Sequence, residues 1–253
     1  MKKQSIGLTL SGGGSRGYVH IGVLKALEER NIKPDIVSGT SMGAIIGALI
    51  ANGYSSKQIE DWAESLKRKS IFHIRGLHLG LSPHKHVRKI LEQLLPPTFE
   101  ALKLPLYISA TSLERGTHKV FSSGPLIDAI LASISIPLIF KPVTIEGERY
   151  VDGGLVKNLP ASTIRDKCDF LIGSNVNHLA QSFETEKTMH LFDRCVRIMI
   201  ANTLVDEVDK CDLFIDPHND AMWNMLDFSK VNEVVELGYR VARRALENSY
   251  IDE

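Results

Sequence analysis

Cysteine is scarce in this chain. Cys168, Cys195 and Cys211 are the only three in 253 residues and no CxxC pair occurs, which argues against a disulfide framework and a cysteine-rich zinc site. Buried, reduced thiols are the expected state for all three. Net charge is missing too: 30 Lys plus Arg balance 30 Asp plus Glu, so the broad basic footprint of a nucleic-acid binder is absent. Long apolar runs are lacking, since the longest candidate, Met42 to Ala51, is too short to cross a bilayer. The opening MKKQSIGLTLSGGG has a basic head, but its apolar stretch breaks off into Ser and Gly, unlike a signal peptide. Metal-ligand spacing of His, Cys and Asp is likewise not found. These absences predict a soluble, cytoplasmic protein with no nucleic-acid partner, no metal and no cofactor.

The chain is 43% apolar and 24% charged, the composition of an ordinary globular protein. At this length one domain over 1–253 is expected, with a core that needs no covalent staple. Ile6 to Leu10 reads as a buried strand, and the Gly-rich stretch after it opens a helix from Tyr18 to Arg30. Asp35 to Ser38 reads as a second strand and Met42 to Asn52 as an almost wholly apolar helix. Helices are expected at Ser56–Lys69, with Ser55 or Ser56 as N-cap, and at His84–Leu95. Leu106–Leu113 and His118–Phe121 look like paired strands, Pro125–Ser133 like a helix, and Val143–Ile145 with Arg149–Val151 like a hairpin. A strand at Phe170–Val176, helices at Thr185–Cys211 and Lys230–Asn248, and a strand at Leu213–Ile215 complete the pattern. Strands alternating with helices imply an α/β domain of three layers, with a mostly parallel central sheet flanked by helices.

Gly39-Thr40-Ser41-Met42-Gly43 is a G-x-S-x-G pentapeptide between a strand and an apolar helix, the context of a nucleophile elbow. Gly39 and Gly43 allow the cramped turn that lifts the Ser41 hydroxyl out of the backbone. The helix start offers partial positive charge to a developing oxyanion. Upstream, Gly12-Gly13-Gly14-Ser15-Arg16-Gly17 satisfies G-x-G-x-x-G after a strand, the place of a dinucleotide fingerprint. That rival needs an acid near the end of the next strand, and Asp35 stands at its beginning. A P-loop fails because no GK[ST] follows. What remains is a loop whose unobstructed N–H groups form an anion-binding nest. Asp152-Gly153-Gly154 follows the hairpin and, alone, is a commonplace turn.

Taken in order, GGGSRG at 12–17, GTSMG at 39–43 and DGG at 152–154 resemble the patatin-like phospholipases, in particular their bacterial single-domain branch. The resemblance runs over about residues 5–178, through Ala132–Pro142 and Val151–Pro160; the tail, about 179–253, is read as a helical extension of the same domain. One departure is Ser112, where relatives often carry Asp. The resemblance implies a serine acyl hydrolase acting on a lipid ester, with Ser41 as nucleophile and Asp152 as its base and no histidine in the dyad. It further implies an oxyanion hole from Gly12, Gly13, Gly14 and Ser15 with the Met42 N–H, and Arg16 bracing the loop or meeting a head group rather than performing chemistry.

Two rivals stay open. An α/β-hydrolase acting on small esters orders its triad Ser, Asp, His, which leaves His178, His190 and His218 as bases after Asp152. A regulatory module could keep the fold and sense acyl chains without turnover. Between Ser65 and Leu91 the chain carries Lys67, Arg68, Lys69, Arg75, Lys85, Arg88 and Lys89 with no acid, interleaved with Ile71, Phe72, Ile74, Leu77, Leu79 and Leu81. This segment, 65–91, is the candidate peripheral membrane contact; a solvated basic loop is the plain alternative.

Overall fold

The computed structural model describes residues 4–68, 83–179, 188–217, 225 and 227–249. Strand β1 (Ile6–Leu10) leads through a short 3-10 turn at Gly14–Tyr18 into α1 (Val19–Glu29), and β2 (Ile36–Thr40) into α2 (Met42–Ala51). Then come α3 (Ser56–Arg68), α4 (Pro83–Leu91), β3 (Leu106–Ser112), β4 (Thr117–Phe121) and α5 (Leu126–Ser133). The hairpin β5 (Val143–Ile145) and β6 (Glu148–Asp152) precedes β7 (Phe170–Ser174), α6 (Thr188–Val208), β8 (Leu213–Ile215) and α7 (Val231–Glu247). Ser55 caps α3 in a reciprocal box: its N–H donates to Gln58 Oε1 at 2.9 Å and its hydroxyl oxygen accepts the Gln58 N–H at 3.3 Å.

Among the described residues the strands form one sheet, β5-β6-β3-β2-β1-β7-β8, with β4 also on β3. The run β3-β2-β1-β7-β8 is parallel, and β4, β5 and β6 are antiparallel additions. Successive side chains leave opposite faces of a strand. Leu8, Leu10, Val37 and Ile172 therefore join the large core with α1, α2, α3, α5 and α7. Ile36 and Leu171 face the other way, under Ile200 and Leu204 of α6. With both faces covered, the protein is a mixed α/β fold whose central sheet is flanked by helices. The wholly apolar α2 is buried at every residue, which a helix without a polar face requires.

The register on β3 positions the site. One edge of β3 carries β4 over Ile108–Ser112. The other edge is shared: β2 runs parallel to it and ends with Thr40 opposite Ser109, while β6 runs antiparallel and ends with Asp152 opposite Ala110. The two strands thus meet end to end, and residues 41 and 152, remote in sequence, become neighbours. The chain leaving the carboxyl ends of β1 and β7 opens beside them, the crevice where open α/β sheets bind ligands.

Candidate active site

Ser41 leaves β2 with φ 54° and ψ −121°, a conformation that costs a non-glycine residue about 1–3 kcal/mol. Surrounding bonds hold it there. Its N–H donates to the Ser133 hydroxyl at 2.8 Å, which donates onward to the Ser109 carbonyl at 2.6 Å. Its carbonyl accepts the N–H groups of Ala44 at 2.9 Å and Ile45 at 3.2 Å, opening α2. A Cβ at Gly39 would strike the Gly43 backbone, and one at Gly43 the carbonyls of Leu10 and Ser11. Both glycines are therefore dictated by close approach rather than by the turn alone.

The Ser41 side chain stands beside the Asp152 carboxylate, close enough to pull its pKa down. Asp152 is itself pinned: its N–H donates to the Ser135 carbonyl at 3.0 Å, its carbonyl accepts from the Thr111 hydroxyl at 2.9 Å, and its carboxylate accepts the Gly154 N–H at 2.8 Å. Burial pushes the Asp152 carboxyl up to about 6, with the bonds from Ser41 and Gly154 pulling the other way. Gly153 lies against the Ser109 carbonyl, 2.5 Å from where a Cβ would stand.

The glycine loop corrects part of the expected donor set. The Gly12 N–H donates to the Asn158 carbonyl at 3.2 Å and the Ser15 N–H to the Met225 carbonyl at 2.8 Å, so neither is directed at a ligand. Among the described residues, the N–H groups of Gly13, Gly14 and Met42 have no protein acceptor. Arg16 is buried and donates to Asn177 Oδ1 at 2.9 Å, while Asn177 Nδ2 donates to the Gly12 carbonyl at 2.5 Å and to Asn158 Oδ1 at 3.1 Å. Arg16 thus braces the loop. Gly17 has the Met42 side chain where its own Cβ would be, which seats the loop on α2. Gly13, Gly14, Ser41, Asp152 and Gly154 line a cavity of about 180 Å³ whose other walls are mostly apolar, including Ile136, Leu155, Val196 and Ile200. Ser133, Asn158 and Asn177 are parts of the site that the motifs did not single out.

Of the three histidines weighed as bases, only the His178 side chain is described. His178 Nδ1 is 3.0 Å from Asp216 Oδ2, a pairing separate from Ser41 and Asp152; the ring of His190, and His218, lie outside the described residues. His20 is buried between the Ser174 hydroxyl (2.8 Å) and the Ser11 carbonyl (2.9 Å), and burial pulls it down to about 4, a neutral core histidine. The Asp35 carboxylate accepts the Ile6 N–H at 2.9 Å, at the end of β1 remote from the glycine loop. No group of three or more His, Cys, Asp and Glu among the described residues could hold a metal ion. Among them too, no helix is long and apolar enough to cross a membrane. Residues 69–82 of the basic segment lie outside the described residues; Lys85 and Lys89 are on α4, where Arg88 pairs with Asp128. Cys195 is exposed, unlike the buried thiol expected, and Cys168 and Cys211 are partly buried.

Comparison with known proteins places this geometry in a lineage. The Patatin-like phospholipase family pattern matches residues 8–164. An uncharacterized NTE family protein of Mycobacterium tuberculosis is 33% identical over 201 residues, covering 76% of this chain and 56% of that protein. Lysophospholipase NTE1 of Yarrowia lipolytica is 33% identical over 169 residues, 64% of this chain and 12% of that protein. The chain therefore spans about half the length of the first relative and about an eighth of the second. The crystal structure of VipD from Legionella pneumophila superposes with a TM-score of 0.53 at 15% identity, over 97% of this chain and 67% of that one, which is likeness of fold. Ordered motifs, fold and family pattern agree, and the chain belongs to the patatin-like phospholipase family.

Proposed function

We propose that the protein is a serine acyl hydrolase that cleaves a carboxylic ester of a phospholipid or lysophospholipid through an acyl-enzyme on Ser41. The observation that carries this reading is Ser41 beside a buried Asp152 carboxylate, both lining one largely apolar cavity. A carboxylate in water is too weak a base for a serine hydroxyl. Burial raises Asp152 to about 6 and brings its proton affinity closer to what the transfer needs. As Asp152 takes the proton, Ser41 Oγ bonds the carbonyl carbon, and the carbonyl oxygen becomes an oxyanion. The N–H groups of Gly13, Gly14 and Met42 are its donors. Collapse breaks the bond to the alcohol oxygen, which receives the proton from Asp152. Water then attacks the acyl-enzyme with Asp152 again as base, releasing the fatty acid and restoring Ser41.

The whole chain acts as one domain, since α6, from the tail, walls the cavity built by the motifs. It is cytoplasmic and meets its lipid from the aqueous side. Ser41→Ala is expected to cut ester hydrolysis by about 10³-fold or more and to abolish labelling by an alkyl fluorophosphonate, with unchanged circular dichroism. Retained hydrolysis would remove Ser41 from the reaction. An intact protein that neither turns over esters nor takes the label would be the acyl-chain sensor instead.

A further inference from the structure

Seven large apolar side chains stand exposed among the described residues, and all but Leu113 gather about the cavity and the helix that walls it. Leu138, Leu155 and Met199 are both exposed and part of the cavity lining. Leu138 is the extreme case, 88% exposed with φ 73°, so in water this leucine is unfavourable in backbone and side chain alike. The other three, Leu191, Ile198 and Val205, recur at every seventh residue of α6, which puts them on one stripe. That stripe is opposite the buried face of α6, where Ile200 and Leu204 pack on the sheet. Between its apolar residues the stripe carries the uncharged, exposed Cys195 and Asn202. Helix α6 is thus apolar on two faces, and among the described residues only one is covered.

We propose that this collar, the mouth residues together with the outer stripe of α6, docks the protein onto a lipid surface. The inference rests on the reading of the cavity as an acyl-ester site. A second copy of the chain seated on Leu138, Leu155 and Met199 would stopper the mouth. A lipid surface covers the collar and fills the cavity through the same contact, because the acyl chain passes from one apolar medium to another without crossing water. The contact is apolar rather than electrostatic, so it differs from attraction of the basic segment to anionic lipid.

The test uses the full chain carrying Ser41→Ala, so that no turnover intervenes, sedimented with vesicles of phosphatidylcholine alone at low and high salt. Binding is expected, and it should survive high salt. The triple variant L191Q/I198Q/V205Q should bind about tenfold more weakly or less. In the Ser41 protein the same triple change should leave hydrolysis of a short, water-soluble ester unaltered, since none of the three side chains lines the cavity. An environment-sensitive fluorophore on Cys195 should shift to the blue when vesicles are added. Equal vesicle binding by triple variant and parent overturns the proposal, as does binding abolished by salt. A parent dimer that the triple change converts to monomer overturns it too, by making the stripe an interface between copies. If the parent hydrolyses no ester, the reading of Ser41 fails, and the vesicle measurements still decide the collar.

Discussion

Asp152 and Glu207 are two buried carboxylates that hold the same stretch of chain, one from each end, and their surroundings are opposite in kind. Asp152 meets only neutral donors, the Ser41 hydroxyl and the Gly154 N–H, and burial raises it to about 6. Glu207, on α6, accepts from the Lys157 ammonium at 2.7 Å and from the Ser162 N–H at 2.7 Å. Burial pushes Glu207 up as well, yet the bonds from Lys157 and Ser162 outweigh it and hold the carboxyl below its ordinary value. A cation makes a buried carboxylate a fixed brace; neutral donors alone leave it costly to ionise and ready to take a proton. The Lys157 carbonyl also accepts from Thr40 and Ser109, each at 3.1 Å, so the Glu207 brace ties α6 to the strands beneath Ser41.

Exchanging each acid for its amide separates the two roles. Asp152→Asn is expected to lower kcat/KM by about 10³–10⁴-fold, because the amide cannot accept the serine proton. Glu207→Gln should change kcat/KM by less than about tenfold, since Glu207 touches no reacting atom. Comparable losses from the two substitutions would erase the distinction.

Stability should move in opposite directions. Removing the Glu207 charge strands the Lys157 ammonium, which is partly buried, and is expected to cost about 2–4 kcal/mol at neutral pH by denaturant titration. Glu207 has a depressed folded-state pKa, so its contribution is present above the unfolded value of 4.5 and fades as pH falls through the folded one. Glu207→Gln and parent should therefore converge in acid. Asp152 has a raised folded-state pKa, so the cost of its charge is absent below 3.8 and complete above about 6. Asp152→Asn should accordingly stabilise the protein by about 2–3 kcal/mol above pH 6 and by nothing below pH 4. With Asp152 as the proposed base, the same titration should set the acid limb of kcat/KM near pH 6 in the parent. A limb near pH 4 would mean that Asp152 is not the group that must lose a proton.

Much of the fold was legible because its periodicities are strong: the apolar run of α2 and the five-residue strands β1 and β2 fall within a residue or two of their expected bounds. Ser41 and Asp152 were legible as members of ordered motifs. That the two meet was implied by the resemblance alone, because the antiparallel seating of β6 on the edge of β3 beyond the end of β2 is a tertiary fact with no local signal. The loop donors were misassigned for the same reason: Gly12 and Ser15 spend their protons on Asn158 and Met225, far along the chain. Cys195 was expected inside because free cysteine is so often buried; it stands exposed on α6, and composition does not say which face the sheet takes. Ser133 did leave a trace, a polar residue closing the apolar run of α5.

Ser133 gives the smallest effect and the finest probe of the neutral-donor environment around Asp152. Its hydroxyl is the acceptor for the Ser41 N–H, so Ser133→Ala leaves that buried donor unpaired at a strained φ, a cost of about 1–3 kcal/mol. The elbow relaxes, and the Ser41 hydroxyl loses its fixed aim at Asp152. Because the defect lies in orientation, kcat is expected to fall about tenfold with KM nearly unchanged. A purely structural role for Ser133 would lower stability without touching the pH profile. Here the bond from Ser41 is what pulls the Asp152 pKa down against burial, and weakening it should move the acid limb of kcat/KM upward from about 6. An unmoved limb with reduced stability would confine Ser133 to holding the backbone and would leave Asp152 tuned by burial and Gly154 alone.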